Sequence, residues 1–301
     1  MSERSVLVAG SANLDFVVRA DHIPAPGETV LGRGFRTFPG GKGANQAIAC
    51  ARAGGAATQM LLALGDDAFA ASIEASLHDA GVAMHALRCS SEPTGTAFIC
   101  VSDNADNAIT VAPGANAALR AEHLPPLNGV SHLLLQLETP LDTVTAYARA
   151  ARAAGVQVVL NAAPARALPN ELLGATDLLI VNEGELAAIG GVHDIGAALE
   201  RIGVANVIVT LGARGCLART PVGVLRQSGF VVDAIDTTAA GDTFCGALVA
   251  ALHRAEPLAD GMRFASAAAA IACTRLGAQS SIPTLHDVRA FLASQTSGAS
   301  A

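Results

Sequence analysis

The feature that most constrains the fold is a repeated alternation of short apolar runs with alanine-rich stretches of helical length. Each run is bounded by polar residues or glycine, which is typical of strands buried on both faces of a sheet. The strand candidates are Ser5–Ala9, Leu133–Gln136, Val156–Leu160, Leu178–Val181 and Val207–Thr210. The helix candidates are Ala44–Ala53, Leu141–Ala154, Ile195–Ile202, Gly241–Ala255 and Met262–Thr274. This order predicts an α/β fold, a three-layer αβα sandwich with a mostly parallel central sheet.

Two segments, residues 16–38 and 95–111, break this alternation because neither fits a helical crossover. The second has two apolar runs around a polar turn, which is the pattern of a hairpin. We predict that the two segments form one small antiparallel β-sheet lid that covers a substrate, a partner subunit or both. The alternative is a pair of separate surface hairpins. Residues 1–293 are then expected to be one domain, and residues 294–301 a disordered tail.

The composition argues against several classes of protein. The net charge of −7 disfavours nucleic acid as a partner, which would need a basic surface. No run of 18 apolar residues is present, so no membrane span is expected. The first apolar run, Ser5–Ala9, is expected to be a buried strand and not a signal peptide. Six cysteines without a Cys-x-x-Cys pair indicate reduced thiols and a cytoplasmic protein.

The stretch Asp236–Gly246 combines small residues, a Gly-Asp pair and the start of an apolar helix. We expect the backbone N–H groups of Ala239, Ala240 and Gly241 to be free at the first helical turn, where the helix dipole favours an anion. Asp242 would then be placed to take a proton from a hydroxyl that attacks this anion. The stretch therefore predicts phosphoryl transfer to an alcohol. The alternative is a capped helix with ordinary first-turn residues.

A glycine-rich run, Pro39–Gln46, opens the first helix candidate. Consecutive glycines let the backbone come close to a ligand. The spacing matches neither a Walker A loop nor a dinucleotide fingerprint. The close backbone, together with Lys42 and Asn45, suits a neutral polyhydroxylated ligand beside a phosphate. A glycine-rich turn of this kind is, on its own, more often structural.

Polar residues also follow several predicted strands, at the edge where a parallel sheet binds ligands. Asn13 and Asp15 face the same way on an extended segment and suit a vicinal diol, the alternative being a helix cap and an exposed carboxylate. Glu138 and the Asn182–Glu185 segment offer the oxygen ligands that Mg²⁺ prefers. Thr210–Gly215 ends another strand with two glycines, which leaves room for adenine or phosphate.

These segments together resemble the ribokinase-like carbohydrate kinase family in order and rough spacing, over nearly the whole chain. The matching segments are Gly10–Asp15, Gly40–Asn45, Pro113–Ala117, Leu135–Glu138, Asn182–Glu185, Thr210–Gly215, Asp236–Gly246 and Thr274–Ile282. The resemblance implies ATP-dependent phosphorylation of a small sugar, with O5 of D-ribose as the first choice. Kinases of deoxyribose, fructose or a nucleoside are the alternatives of the same fold. A non-catalytic sugar or nucleotide sensor is the alternative of another class, and the presence of Asp242 argues against it.

The resemblance also implies a role for individual positions. The implied catalytic residues are Asp242 as general base and Ala239, Ala240 and Gly241 as the anion hole. The implied sugar contacts are Asn13, Asp15, Gly41, Lys42, Asn45, Glu138 and Asp242. The implied contacts to ATP and Mg²⁺ are Asn182, Glu185, Thr210, Gly212, Gly215, Gly241 and Ser266.

A monovalent cation, usually K⁺, and a homodimer formed through the lid are further implications of the resemblance. The matching cation positions are the Asp236 carboxylate, the backbone oxygens of Thr238, Ala272, Arg275 and Gly277, and Ser281. Three positions depart from the family pattern. Cys245 replaces a common asparagine, Ala162 replaces a common proline, and Ser266 replaces a larger side chain that contacts adenine in some relatives. The last departure leaves the base selectivity open.

Overall fold

The computed structural model describes residues 4–104 and 106–297. In chain order, the strands are β1 (Ser5–Ala9), β2 (Asn13–Ala20), β3 (Arg33–Gly40), β4 (Thr58–Gly65), β5 (Ala83–Cys89), β6 (Gly95–Ser102), β7 (Asn107–Ala112), β8 (Val130–Leu135), β9 (Gln157–Asn161), β10 (Leu178–Asn182), β11 (Asn206–Thr210), β12 (Cys216–Thr220) and β13 (Gly223–Gln227). The helices are α1 (Lys42–Ile48), α2 (Ala68–Asp79), α3 (Leu141–Ala153), α4 (Asn170–Gly174), α5 (Glu183–Gly190), α6 (Ile195–Arg201), α7 (Ala240–His253), α8 (Leu258–Cys273) and α9 (Leu285–Ser297).

The large sheet has nine strands in the described part of the chain, in the order β13-β12-β11-β10-β9-β8-β1-β4-β5. The pairs from β5 to β11 are parallel, and the pairs β11–β12 and β12–β13 at one edge are antiparallel, so that β12 alone among the described strands of this sheet runs in the opposite direction. Neighbouring residues of one strand pack into opposite cores: Leu134 belongs to the cluster on one face, and Leu133 and Leu135 to the cluster on the other. Helices cover both faces, so the predicted three-layer sandwich and all five predicted strands are confirmed.

The face that carries the functional segments is covered by α1, α7 and α8. Many of the buried residues on these helices are alanines, and a glycine of α7 lies against α1. A Cβ built on Gly246 of α7 would lie 2.3 Å from the backbone oxygen of Gln46 in α1, which is closer than a real Cβ can approach. The absence of a side chain at Gly246 therefore sets the spacing between the two helices.

Two helix predictions and the predicted tail need correction. α1 begins at Lys42, and residues 49–53, predicted as its end, form a π-helical turn. α8 begins at Leu258, four residues before the predicted start, because Pro257 opens it. Residues 294–297, predicted as disordered, belong to α9, whose Val288, Phe291 and Leu292 pack against the core at helical spacing. Residues 298–301 of the predicted tail lie outside the described residues.

The two segments that interrupt the alternation form one small sheet, which we call the lid, in the order β3-β2-β6-β7. Its hairpins β2–β3 and β6–β7 are antiparallel as predicted, whereas the central pair β2–β6 is parallel. The pairing is parallel because β2 and β6 both begin a few residues after strands of the large sheet, at the register pair Asn13–Gly95, and run outward together.

The two faces of the lid differ in chemistry. Asp15 of β2 is buried, whereas its neighbour Phe16 lies on the opposite face because successive side chains alternate along a strand. The Phe16 ring stacks on Phe98 at 5.3 Å and on Phe35 at 6.0 Å between ring centroids. Phe35 and Phe98 are each more than half exposed. No helix of the described residues is long and apolar enough to cross a membrane.

Candidate active site

The predicted site residues meet at the carboxyl ends of the parallel strands, where ligands of such sheets bind. Asn13 lies just beyond β1, and Glu138 just beyond β8. Asn182 ends β10 and pairs in register with Thr210, which ends β11. Since β1 pairs with β8 and β10 pairs with β11, strand order alone brings these residues to one edge of the sheet.

Asp242 lies in the first turn of α7 and is buried. Its Oδ2 accepts a hydrogen bond from Asn45 Nδ2 at 3.0 Å, and its Oδ1 accepts one from Gln46 Nε2 at 2.9 Å. Asn45 and Gln46 are neighbours on α1, so α1 supplies two donors to one carboxylate. The arrangement fixes a carboxylate at a helix N-terminus, as the sequence predicts.

The turn before Asp242 offers the expected backbone donors, with one exception. Ala239 adopts the left-handed conformation with φ 58°, and α7 begins at the next residue. The N–H of Ala240 donates to Thr237 O at 3.2 Å, so the expectation that this group is free is wrong, because the tight turn brings that oxygen within reach. No hydrogen bond within the described residues uses the N–H of Ala239 or Gly241. A Cβ built on Gly241 meets no described atom within 4 Å, which leaves open space there for an anion.

Lys42 brings a positive charge into this group of acidic side chains. Attraction by Asp242 is the main reason that the pKa of Lys42 lies above its usual value; Glu138 and Glu185 add to it, and burial opposes it. Glu138 Oε2 accepts hydrogen bonds from Ser11 Oγ at 2.6 Å and from the Lys42 backbone N–H at 3.1 Å. The charge of the Lys42 ammonium is therefore favoured by three carboxylates of the same region.

Asn13 and Asp15 start β2 and face the same way, as predicted. Asn13 Oδ1 accepts a hydrogen bond from Asn116 Nδ2 at 2.8 Å, so the group that Asn13 can offer a ligand is its Nδ2 donor. Burial, with smaller contributions from the nearby Glu138 and Asp242 carboxylates, raises the pKa of Asp15 to about 7. Asp15 is thus a buried acceptor that gains by receiving a hydroxyl donor.

Asn182 and Glu185 form a capping box at the start of α5. Asn182 Oδ1 accepts from the Glu185 N–H, and Glu185 Oε2 accepts from the Asn182 N–H, both at 2.8 Å. Burial is the main cause that raises the pKa of Glu185, and Asp242 adds to it, while the Asn182 N–H and Lys42 oppose it. Both predicted residues therefore have a structural role, and Glu185 also belongs to the charge cluster around Lys42.

The predicted nucleotide positions divide into two groups. Thr210 and Gly212 lie at the open edge: Gly212 has a φ of 59°, and a Cβ built there meets no described atom within 4 Å. A Cβ on Gly215 would instead lie 2.1 Å from Gln227 O, so this glycine is needed for the fold of the β12–β13 edge. Ser266 is buried against Cys216, with Oγ and Sγ 3.8 Å apart. The structure thus gives Gly215 and Ser266 packing partners within the protein.

The predicted cation positions come from two loops that the structure joins. Asp236 Oδ1 accepts from the Thr238 N–H and its Oδ2 from the Gly277 N–H, both at 2.9 Å. Burial would raise the pKa of Asp236, but these hydrogen bonds outweigh it and the pKa is lowered. Ala272 O accepts from the Arg275 N–H at 3.1 Å, and the buried Ser281 Oγ donates to Ala278 O at 2.7 Å. Among the described residues, no group of three or more His, Cys, Asp or Glu side chains is arranged to hold a metal ion.

Several residues of the site were not predicted from the sequence. Gln46, Gln136 and Asn161 form a buried row of amides behind Asp242, while Ser11 and Asn116 hold Glu138 and Asn13. Each of these five residues forms its hydrogen bond to a side chain that is distant from it in sequence. The only local signal was position: Gln46 directly follows Asn45, and Gln136 precedes Glu138 by two residues.

The comparisons with known proteins agree with this geometry. The ribokinase of Haemophilus influenzae is 39% identical over 96% of this chain and 98% of its own length. A crystal structure of the ribokinase from Thermotoga maritima superposes with a TM-score of 0.89 at 38% identity, covering 96% of this chain and 99% of that one. The ribokinase of Arabidopsis thaliana, solved with ribose and ATP, superposes with a TM-score of 0.88 at 32% identity, covering 96% and 99%. Residues 3–285 match the family described as pfkB family carbohydrate kinase, and the chain therefore belongs to the pfkB family of carbohydrate kinases.

Proposed function

We propose that this protein transfers the γ-phosphoryl group of ATP to O5 of D-ribose, giving ribose 5-phosphate and ADP. The observation that carries the proposal is the buried Asp242 carboxylate in the first turn of α7, directly beside the open space at Gly241. A base next to a helix N-terminus is the pair of groups that an alcohol needs to attack a phosphoryl group. The relative solved with ribose and ATP supports the choice of both substrates.

In the proposed reaction, Asp242 accepts the proton of the O5 hydroxyl while O5 bonds to the γ-phosphorus and the bond to the β-phosphate oxygen breaks. The N–H groups of Ala239 and Gly241 stabilise the charge on the transferring phosphoryl oxygens. The Lys42 ammonium offsets the negative charge that gathers around Asp242 and the phosphates. Because the chemistry is mainly positioning and charge stabilisation, these groups account for the main requirements of the transfer.

The sugar is held by the polar groups around β2 and α1. Asn13 donates a hydrogen bond through Nδ2, and Asp15 and Glu138 accept hydrogen bonds from sugar hydroxyl groups. Asn45 Oδ1 is buried without a hydrogen-bond partner among the described residues, so a sugar hydroxyl is the donor that it needs. These groups present both donors and acceptors, which suits a polyhydroxylated ligand.

The acidic residues beside the phosphate space fit Mg²⁺. In the hydrogen bonds of the described residues, the capping box uses Glu185 Oε2 and leaves Oε1 available. Mg²⁺ binds through few protein oxygens and otherwise through water and phosphates, so Glu185 and Asn182 would hold it directly or through water. When bound, Mg²⁺ neutralises phosphate charge during the transfer.

The loops at Asp236 and Gly277, which a hydrogen bond joins, fit K⁺ because the cation ligands that they would supply are one carboxylate and several backbone oxygens. We predict that replacing K⁺ with tetramethylammonium lowers kcat in the wild type, since the cation orders the turn that leads into Ala239 and Gly241. Asp236→Ala should lower activity and remove the difference between the two salts. Initial rates at matched ionic strength measure both effects. Equal wild-type rates in the two salts would contradict the proposed cation site.

The substrate is tested by ADP release with D-ribose, 2-deoxyribose, fructose and adenosine at several concentrations of each. We expect the highest kcat/KM with ribose and identify the product as ribose 5-phosphate by phosphorus NMR. A higher kcat/KM with another compound of the panel would identify that compound, and not ribose, as the preferred substrate. Binding of sugar and ATP without any ADP release would leave the sensor as the better description.

We further propose that two copies of the chain pair through their lids. The lid has apolar side chains that are at least two-fifths exposed on both of its faces: Phe35 and Phe98 lie on the Phe16 face, and Ile109 and Val111 lie on the Asp15 face. Such exposed apolar area on one small sheet is typical of a protein interface. A dimer would cover it in a way that a single chain does not.

The dimer is tested with a charge on the lid. Ile109→Glu should convert a dimer at micromolar concentration into a monomer, because a carboxylate would have to be buried in the interface. Val224→Glu on β13 is the matched control, since Val224 is exposed to a similar degree but lies outside the lid. Sedimentation velocity measures both. A wild-type protein that sediments as a fully active monomer would rule out the lid dimer.

We assign the reaction to the cytoplasm. All six cysteines are free thiols. A reducing compartment keeps thiols in this state.

A further inference from the structure

Behind Asp242, on the side of the sheet, three buried amide side chains form a continuous row. Gln136 Nε2 donates to Gln46 Oε1 at 2.7 Å, and Gln46 Nε2 donates to Asp242 Oδ1 and to Asn161 Oδ1, both at 2.9 Å. Asn161 Nδ2 in turn donates to Ile180 O at 3.2 Å. Gln46 and Gln136 have no solvent exposure at all. Two wholly buried glutamines are costly unless their polar atoms are used, so their position next to a carboxylate requires an explanation.

The row allows only one orientation of the Gln46 amide. If this amide were flipped, its oxygen would face the oxygens of Asp242 and Asn161, and its nitrogen would face the Gln136 donor. Asn161 cannot compensate by flipping, because its Nδ2 is held by the carbonyl oxygen of Ile180. Both hydrogens of Gln46 Nε2 are therefore committed, one of them to Asp242.

The two donors to Asp242 differ in what else they do. Asn45 has a second polar atom, Oδ1, without a partner, and it is a proposed sugar contact. Gln46 has no polar atom left for a ligand, since all three of its hydrogen bonds go to protein groups. The close contact of Gly246 with the Gln46 backbone fixes the helix that carries the amide. The Gln46 side chain thus forms its hydrogen bonds to Asp242 and to two other buried side chains, and none of them is available to a ligand.

We propose that Gln46 is a positioning residue for the phosphoryl transfer. Its hydrogen bond to Oδ1 of Asp242 keeps the carboxylate in one orientation, in which Oδ2 faces the substrate hydroxyl. This inference rests on the proposed role of Asp242 as the base. A neutral amide is suited to the task because it orients an anion without adding a charge that competes with the phosphates. Gln136 and Asn161 act one step further away, by fixing the amide of Gln46.

The test is a double-mutant cycle between Gln46→Leu and Asp242→Asn, using the sugar with the highest kcat/KM. Gln46→Leu alone should lower kcat by roughly ten- to a hundredfold while the KM for ATP stays within about threefold. In the Asp242→Asn background the same substitution should change kcat by less than about twofold, because the group that it orients is no longer a base. A structural defect would instead lower kcat by the same factor in both backgrounds, and that result would overturn the proposal.

A second variant gives a readout that does not depend on loss of packing. Gln46→Glu keeps the size of the side chain but places a second carboxyl group 2.9 Å from Asp242 Oδ1, where Gln46 Nε2 now lies. Two carboxyl groups at this distance oppose a second ionisation, so the acidic limb of the kcat–pH profile should move to higher pH by about one unit or more. An acidic limb that coincides with that of the wild type would contradict the proposal.

Gln59→Leu is the matched control. Its amide also bridges two side chains, with Nε2 donating to Ser5 Oγ and Oε1 bonded to His85 Nε2, both at 2.7 Å, but it lies at the opposite end of the sheet. We expect unchanged kcat. If Asp242→Asn itself keeps near wild-type turnover, the assignment of the base fails. If Asp242→Asn is impaired and Gln46→Leu is not, only the positioning role fails.

Discussion

Asp242→Asn is expected to lower kcat by roughly 10²–10⁴-fold while ATP still binds with near wild-type affinity. The amide keeps the shape of the carboxylate but cannot accept the proton of the sugar hydroxyl. The proposed nucleotide positions Thr210 and Gly212 lie at the end of another strand, so we expect them to be undisturbed. Steady-state ADP release gives kcat, and fluorescence titration with a labelled nucleotide gives the affinity for ATP.

A matched control distinguishes the loss of a base from the general effect of removing an acidic residue from the first turn of a helix. Asp142→Asn removes the acidic residue in the first turn of α3. Such a charge contributes only about 0.3–1 kcal/mol to helix stability, so we expect a small change in melting temperature and none in kcat. A kcat of the Asp242→Asn variant close to that of the wild type would mean that another group takes the proton.

Asp15→Ala is expected to reduce kcat/KM for ribose by roughly ten- to a hundredfold and to narrow the difference between ribose and 2-deoxyribose. Asp15 is a buried acceptor, and removing it leaves a sugar hydroxyl unpaired at a cost of about 1–3 kcal/mol. The KM for ATP should stay nearly the same. An equal loss for both sugars would show that Asp15 does not contact the hydroxyl by which they differ.

The pH dependence of sugar binding gives an independent check on Asp15. Its pKa is raised to about 7, mainly by burial, so the carboxylate is the form that is lost when the pH falls below this value. The KM for ribose should therefore rise as the pH is lowered from about 8 to about 6 in the wild type. Asp15→Asn should flatten this trend, and an unchanged slope would assign the titration to another group.

The sheet and the edge that carries the site could be predicted from the sequence because both depend on local patterns. Residues 133–135 and Leu178–Val181 are apolar without alternation, which identifies strands buried on both faces. Once the strands are parallel, the polar residues after them must meet at one edge. Glu138 and Asn182 were found in this way.

The remaining features depend on contacts between segments that are far apart in sequence. Gln46 meets Asp242 across 196 positions and meets Gln136 across 90, so no local pattern could indicate the row of amides. The parallel pair β2–β6 joins two hairpins that each look antiparallel when considered alone. The bond from the Ala240 N–H to Thr237 O depends on the left-handed turn at Ala239, a conformation that alanine rarely adopts.

The spacing set by Gly246 limits how this enzyme can be altered. A methyl group at that position would force α1 away from α7 and lengthen the bond between Gln46 and Asp242, although residue 246 has no chemistry of its own. Redesign of sugar specificity should therefore leave residue 246 untouched and change side chains on the lid side of the pocket, on β2. The position of the proposed catalytic carboxylate thus depends on a residue that has no side chain.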